Sequence, residues 1–196
     1  MLKRGMDITL SAIGIVILSP LFTLIAVCIV FGSKGGVFYI QTRVGMNGID
    51  FKLLKFRTMR PDSEKKGLLT VGIRDPRVTS IGYFLRKYKL DELPQLVNVL
   101  QGTMSLVGPR PEVRKYVNLY NEEQKQVLTV KPGITDFASL AYFSENALLA
   151  KSSDPERTYV TEIMPAKLKL NRKYVNEANL ATDLKIIFQT LKRIVS

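Results

Sequence analysis

The chain has no histidine and no tryptophan, and only one cysteine among its 196 residues. Without histidine, a Ser-His-Asp triad, a histidine general base and histidine-ligated zinc are all excluded. Acid–base or nucleophilic work must fall to Asp, Glu, Lys, Tyr, Ser or Cys28. Cys28 lies inside the longest apolar run, where it acts as a small hydrophobe without a disulfide partner and reports no redox compartment. The aromatic residues do not interleave with the basic ones as in single-strand binders. No helix-turn-helix, zinc-finger or RNA-recognition signature occurs, so no nucleic-acid partner is expected. Acids are scarce too: 17 Asp and Glu stand against 29 Lys and Arg, for a net charge of +12. That excess points to an anionic partner, either a membrane surface or a phosphorylated substrate. Repeats, low-complexity tracts and long linkers are lacking, and the length suits one domain with a real core.

What the chain does have is an apolar run from Ile8 to Phe31. As a straight helix it would be about 36 Å long, against ~30 Å for a bilayer core. The simplest reading is a transmembrane anchor; a cleaved signal peptide fits less well, since no small-residue cleavage site follows. Two features favour a hairpin that enters and leaves by one face. Pro20 cannot donate to the carbonyl of Val16, so the helix should bend or break at Ser19-Pro20, where the Ser19 hydroxyl can cap the freed carbonyl. Both flanks are basic, with Lys3 and Arg4 before the run and Lys34, Arg43, Lys52, Lys55 and Arg57 after it. The positive-inside tendency then keeps both ends cytoplasmic. Proline kinks also occur in true spans, and the residues alone leave both topologies open.

Beyond a turn at 32–36, strands are expected over Val37–Val44 and Phe51–Met59, and a surface loop over Pro61–Asp75. Helices are expected over Thr79–Leu90, Val113–Val130, Glu162–Asn176 and Asp183–Val195. The last has an apolar stripe of Leu184, Ile187, Phe188, Leu191 and Val195 beside Lys185, Lys192 and Arg193. It could face the core or lie on an anionic membrane. The fold class is α+β and helix-dominated. It has a membrane segment over residues 1–36 and one cytosolic or interfacial unit over 37–196.

The stretch KLDELPQLVNVLQGTMSLVGPRPE, Lys89 to Glu112, carries the most chemistry. Leu93, Leu96, Val97 and Leu100 keep helical spacing, Gly102 is a natural stop, and Pro94 is tolerated only in a first turn. The helix should therefore begin near Asp91 or Glu92. Acids there have an ordinary explanation, as caps that also suit the helix dipole. They also have a chemical one. A helix start binds phosphate, and Lys55, Arg57, Arg86 and Arg110 are candidates to converge on it. Pro109 and Pro111 restrict the backbone around Arg110. A carboxylate can attack phosphorus, provided cations neutralise the crowding of anions. Mg²⁺ does this with one or two carboxylates plus substrate phosphates.

The chain resembles the monotopic phosphoglycosyl transferases, bacterial sugar transferases that initiate glycan assembly. The likeness covers nearly the whole chain. It rests on KRGMD (Lys3, Arg4, Asp7), the apolar run with Ser19-Pro20, KFRTM, LDELPQLVNVLQGTMSLVGPRP, KPGIT and DLKIIFQT, in that order. The resemblance implies transfer of sugar 1-phosphate from a UDP-sugar to polyprenyl (undecaprenyl) phosphate, with release of UMP. Asp91 would be the nucleophile and a Mg²⁺ contact, and Glu92 its partner, as a second metal contact or a proton acceptor. Lys55 and Arg86 would hold phosphates, and the Pro109-Arg110-Pro111 loop would bear on the nucleotide. Lys3, Arg4 and Asp7 would tie a re-entrant membrane helix, broken at Ser19-Pro20, to a domain on the cytoplasmic face of the bacterial inner membrane.

Two departures from that pattern stand out. After PGIT the relatives continue with a glycine and a later Gln-Val-Asn-Gly-Arg string. This chain reads DFASLAYFSENALLAKSSDPERTY, so a phosphate-binding arginine is missing there unless Arg157 substitutes. Asn171 stands where many relatives have aspartate, which keeps the shape and loses the charge. Two rival classes remain: a non-catalytic adaptor for anionic lipid or a protein partner, and a basic nucleic-acid binder. The intact Asp-Glu pair, KFRTM and GPRP argue against the first, and the apolar N-terminus against the second.

Overall fold

The computed structural model describes residues 2–61, 63, 69–72 and 75–195. About half of the expected surface loop at Pro61–Asp75 falls outside the described residues. In chain order the elements are α1 (Leu2–Gly32), β1 (Phe38–Val44), β2 (Asp50–Phe56), α2 (Ser80–Lys87), α3 (Gln95–Gln101) and β3 (Ser105–Val107). There follow α4 (Arg114–Val117), β4 (Gly133–Thr135), α5 (Phe137–Ala141), α6 (Glu145–Leu149), α7 (Pro155–Thr158), α8 (Met164–Glu177) and α9 (Leu180–Val195). Helices dominate. The strands form an antiparallel β1–β2 hairpin and a short parallel β3–β4 pair.

The apolar run forms one helix. α1 continues through Pro20 and does not divide at Ser19-Pro20 as expected. The local bonding explains why. Ser19 Oγ donates to the Val16 carbonyl at 2.8 Å, the acceptor that proline leaves unpaired, and Thr23 Oγ1 donates to the Ser19 carbonyl at 3.1 Å. With that carbonyl satisfied, the turn need not open.

Both ends of α1 are fastened to the same domain. At the first turn Lys3 Nζ reaches Asp183 Oδ2 at 2.5 Å and the Val107 carbonyl at 3.1 Å. Arg4 donates to the carbonyls of Val99 and Leu100, which caps the C-terminus of α3 with a cation. The buried Asp7 carboxylate accepts from Ser105 Oγ at 3.1 Å and the Leu106 amide at 3.0 Å. At the far end Ile25 and Ile29 pack on Phe56 of β2 and Leu85 of α2. The face between, with Ile13, Val16, Ile17, Leu24 and Val27, is exposed.

Two contacts set the site's frame. Asn98 of α3 accepts from the Leu54 amide at 3.0 Å and donates to the Lys52 carbonyl at 2.8 Å, fixing α3 against β2. Gly108 and Gly133 let two backbones meet. A Cβ on Gly108 would lie 2.5 Å from the Lys131 carbonyl oxygen, and one on Gly133 only 2.1 Å from the Gly108 nitrogen. This close approach seats GPRP against KPGIT, with the Gly133 amide donating to the Pro109 carbonyl at 3.0 Å.

Other expectations need correction. Val113–Val130 is not one helix but α4 and a 3₁₀ segment, Gln124–Thr129. α4 stops at Val117, and Asn121 and Gln124 then exchange backbone-to-side-chain bonds at 3.0 and 2.8 Å that start the 3₁₀ segment. α8 begins at Met164, after a π-helical turn over Tyr159–Ile163. α9 extends the expected helix by one turn, but its buried side chains are Asp183 and Ile186. Leu184, Phe188 and Leu191 of the predicted stripe face outward.

Candidate active site

Lys89 has a left-handed backbone, φ 56°, an uncommon conformation for a residue with a Cβ. It starts a 3₁₀ turn over Leu90–Glu92, and α3 begins only at Gln95, with Gly102 (φ 86°) as its stop. Asp91 and Glu92 therefore precede the helix by a turn. Neither makes a capping bond, and both side chains are buried, 7% and 8% exposed. The capping explanation of the pair does not apply.

The two neighbours are held differently. Glu92 takes Lys55 Nζ on Oε1 at 2.9 Å, and Arg110 grips it with both terminal nitrogens, one on Oε2 at 2.9 Å. Arg110 is itself placed by Asp136, a fully buried residue whose Oδ2 accepts the Arg110 amide at 3.1 Å and whose Oδ1 caps α5 at Ser139. Among the described residues no hydrogen bond reaches the Asp91 carboxylate. Burial pushes Asp91 up from the ordinary aspartate range, and the adjacent Glu92 anion pushes it further; Lys55, Arg86 and Lys89 oppose both. Burial acts on Glu92 as well, but Arg110 and Lys55 overcome it and hold that carboxyl well below its usual range. Adjacent acids whose environments drive them apart suit different roles.

Four cations face the pair. Besides Lys55 and Arg110 there are Lys89 and Arg86. Arg86 is aimed by bonds to the hydroxyls of Thr58, 2.9 Å, and Thr70, 3.1 Å. Burial lowers the proton affinity of Lys55, Arg86 and Lys89, while the carboxylates support their charge. Arg57 is elsewhere. Its guanidinium binds the carbonyls of Ser33, Lys34 and Gly35 and secures the turn after α1. Pro109 and Pro111 contribute carbonyls to the frame, Pro111 accepting from Arg43 at 3.1 Å. Arg157 lies on α7 outside the cleft, and its amide is taken by the Asp154 carboxylate at 3.0 Å.

Asp91, Glu92, Lys55, Arg86 and Arg110 open into a cleft of about 670 Å³. Its apolar lining comes from Leu10, Gly14 and Leu18 of α1 and Ile187 of α9, with the exposed Leu191 at its edge. Another part of the lining is polar and self-paired. Glu112 binds Arg43 at 2.9 Å and the Tyr159 hydroxyl, and Lys167 binds Glu145 at 2.6 Å. Sequence reasoning missed Lys89, Asp136, Glu112, Tyr159 and Lys167. Asp136 follows PGIT directly and Glu112 follows GPRP, and that adjacency was the available signal.

The site thus combines a buried carboxylate that accepts no hydrogen bond among the described residues, four facing cations and an apolar lining. The chain belongs to the bacterial sugar transferase family, whose sequence profile matches residues 1–196. It is 36% identical over 198 residues to the UDP-N-acetylgalactosamine-undecaprenyl-phosphate N-acetylgalactosaminephosphotransferase of Aeromonas hydrophila, covering all of this chain and 44% of that protein. It is also 36% identical over 198 residues to the UDP-glucose:undecaprenyl-phosphate glucose-1-phosphate transferase of Escherichia coli K12, covering 97% of this chain and 39% of that one. The exopolysaccharide production protein ExoY of Rhizobium meliloti is 35% identical over 206 residues, covering 97% of this chain and 84% of the relative. The chain thus spans less than half of two of these relatives and most of the third.

Proposed function

We propose that the protein transfers sugar 1-phosphate from a UDP-sugar to polyprenyl phosphate through a phosphosugar held on Asp91. The observation that carries this reading is the contrast within the Asp-Glu pair: Glu92 is locked by Lys55 and Arg110, while Asp91 is buried, accepts no hydrogen bond among the described residues and lines the cleft. An Asp91 oxygen attacks the β-phosphorus of the donor. The bond from that phosphorus to the bridging oxygen breaks, UMP leaves with the electron pair, and an acyl phosphate remains on Asp91. A phosphate oxygen of the polyprenyl acceptor then attacks the same phosphorus and Asp91 departs, giving a polyprenyl-diphosphate sugar. Lys55, Arg86, Lys89 and Arg110 offset the negative charge that gathers in both steps.

The donor set fits Mg²⁺ in its usual mode, one carboxylate plus substrate phosphates. Asp91 is the carboxylate with free oxygens, Glu92 being engaged by two cations, and the described residues hold no cluster of three or more metal-ligating side chains. Bound there, Mg²⁺ would neutralise phosphate charge.

The apolar lining from α1 and α9 would receive the acceptor's chain at the membrane edge. α1 would lie re-entrant in the cytoplasmic leaflet of the inner membrane, a placement supported by the docking of both its ends on one domain. Exposed Leu184, Phe188 and Leu191 suit the interfacial role for α9.

The test uses a UDP-sugar labelled in the sugar, given to enzyme with Mg²⁺ and no acceptor. About one UMP per enzyme should be released, and intact-mass analysis should show the phosphosugar adduct on wild type and not on Asp91→Asn. UMP that appears only with polyprenyl phosphate, without an adduct, would favour direct transfer and reduce Asp91 to a metal contact.

A further inference from the structure

Asn171 is a buried polar residue on α8. It is 4% exposed, and its Oδ1 accepts no hydrogen bond among the described residues. Such a group costs folding free energy, and most buried polar atoms avoid that cost. Asn171 lies on the face of α8 that carries Met164, Lys167 and Leu168, all lining the cleft. The π-helical turn before α8 adds a residue to the repeat and brings Tyr159 toward the same wall.

Beside Asn171, next to the cleft, lies a pit of about 20 Å³, room for one small substituent. Arg110, Pro111, Glu112, Tyr120, Leu168 and Asn171 line both the pit and the main cleft, so the two lie side by side and share a wall. Arg110, which grips Glu92, borders both spaces.

Charge decides what fits. The Asp91 side carries four cations against two carboxylates and suits phosphate. On the Asn171 side the charges cancel in pairs, Arg43 with Glu112 and Lys167 with Glu145. A neutral, hydrogen-bonding group belongs there. A ring hydroxyl both donates and accepts, which matches an amide, a phenol and a carboxylate in one wall. Uracil presents two carbonyl acceptors and one donor, and the Glu112 carboxylate would repel the acceptors.

We infer that Asn171 and this pit form the subsite that reads the sugar ring of the donor, with the free amide bonding a ring hydroxyl or N-acetyl group. This rests on the UDP-sugar reading above. It makes Asn171 a specificity residue, absent from the phosphoryl chemistry.

The experiment measures kcat and KM of wild type, Asn171→Leu and Asn171→Asp with UDP-glucose, UDP-galactose and their N-acetylated counterparts, together with inhibition by UMP and Tm. A site built to bond a substituent rejects its lack strongly, so Asn171→Leu should lower kcat/KM for the preferred sugar by about 10- to 100-fold. The other sugars should lose less, so the preference narrows. UMP inhibition should stay within about twofold, and Tm should hold or rise, because removing an unpaired polar group relieves the fold. Asn171→Asp keeps the shape and alters the bonding, so it should shift the ranking of sugars. If all sugars fall by one factor and UMP inhibition weakens, the subsite belongs to the uridine end. Unchanged ranking in both variants, or a Tm drop that accounts for the loss, would overturn the assignment. Wild type that neither binds nor turns over any UDP-sugar would instead overturn the transferase reading and this subsite with it.

Discussion

At the scale of single residues, Asp91 and Glu92 are adjacent and make opposite contributions. Glu92 lies in its usual charged state between Lys55 and Arg110 with a lowered pKa, so its stabilisation is present above the ordinary carboxyl range and is lost as pH falls through the lowered value. Asp91 has a raised pKa, so its ionisation opposes folding: its share of stability is full at low pH and is lost as pH rises through the raised value. Asp91→Asn should therefore stop adduct formation yet raise Tm at pH 7–8, with the gain shrinking towards pH ~4. Glu92→Gln should lower Tm at neutral pH by an amount equivalent to about 1–3 kcal/mol, because it leaves Lys55 and Arg110 half-paired, with part of the loss recovered by water at the exposed side of Arg110. Thermal melts across pH check both, and a fall in Tm for Asp91→Asn would contradict the assigned asymmetry. The same shift governs rate. With ionised Asp91 as nucleophile, kcat/KM should fall as pH is lowered through its raised pKa, and a rate that held constant down into the ordinary aspartate range would count against it. Lys55→Ala and Arg86→Ala should each slow turnover about 10²- to 10³-fold. What the sequence displayed at this scale was residue type. Asp91, Glu92, Lys55, Arg86 and Arg110 do converge, while Arg57, equally basic and two residues from Lys55, points to the turn after α1. Strand alternation sends odd and even residues to opposite faces, but Arg57 lies past the end of β2, where that rule stops.

At the scale of elements, periodicity was legible and interruptions were not. β1, β2, α2, α8 and α9 lie within a few residues of where the pattern put them. Val113–Val130 kept enough apolar spacing to look helical, but the Asn121–Gln124 exchange supplies the competing local bonds that divide it. In α1 the error had the opposite sign. Proline suggested a break, and the hydroxyl one residue earlier removed the reason for it. Ser19→Ala should then show what Pro20 does alone. The Val16 carbonyl would be left unpaired in an apolar setting, at about 1–3 kcal/mol. Tm in detergent should drop, whereas Pro20→Ala should restore the backbone bond and cost little. Equal Tm for Ser19→Ala and wild type would mean that water or lipid headgroups already satisfy that carbonyl. α9 allows a second check. Phe188→Asp changes an exposed residue, so the fold should persist while binding to anionic vesicles weakens.

At the scale of the whole molecule, α1 has about 46 Å of helix, longer than a bilayer core, yet its two ends are tied to one domain. At one end the ties are polar and buried: Lys3 with Asp183, Arg4 with the end of α3, and Asp7 with β3. At the other they are apolar, through Ile25 and Ile29 on Phe56 and Leu85. A spanning arrangement would have to release one set. Releasing the first would expose the Asp183 and Asp7 carboxylates and the α3 carbonyls; releasing the second would open the cluster around Phe56. The apolar length and both basic flanks were visible in the sequence, but the anchors were not, because they join residues about 100 to 180 positions apart. The proposed topology therefore puts Leu2 and Ile49, both exposed, on the same side of the membrane. In a Cys28→Ser background, Leu2→Cys and Ile49→Cys should both resist a membrane-impermeant maleimide in intact cells and both react after lysis. Labelling of Leu2→Cys alone in intact cells would establish a span. Combining Lys3→Ala with Asp7→Leu removes two of the three polar ties, leaving Arg4 on the end of α3, and lowers the positive charge that would hold the N-terminus inside. That variant should show partial labelling at Leu2→Cys and lose activity in proportion, because Leu10, Gly14 and Leu18 would leave the cleft together with the freed end of α1.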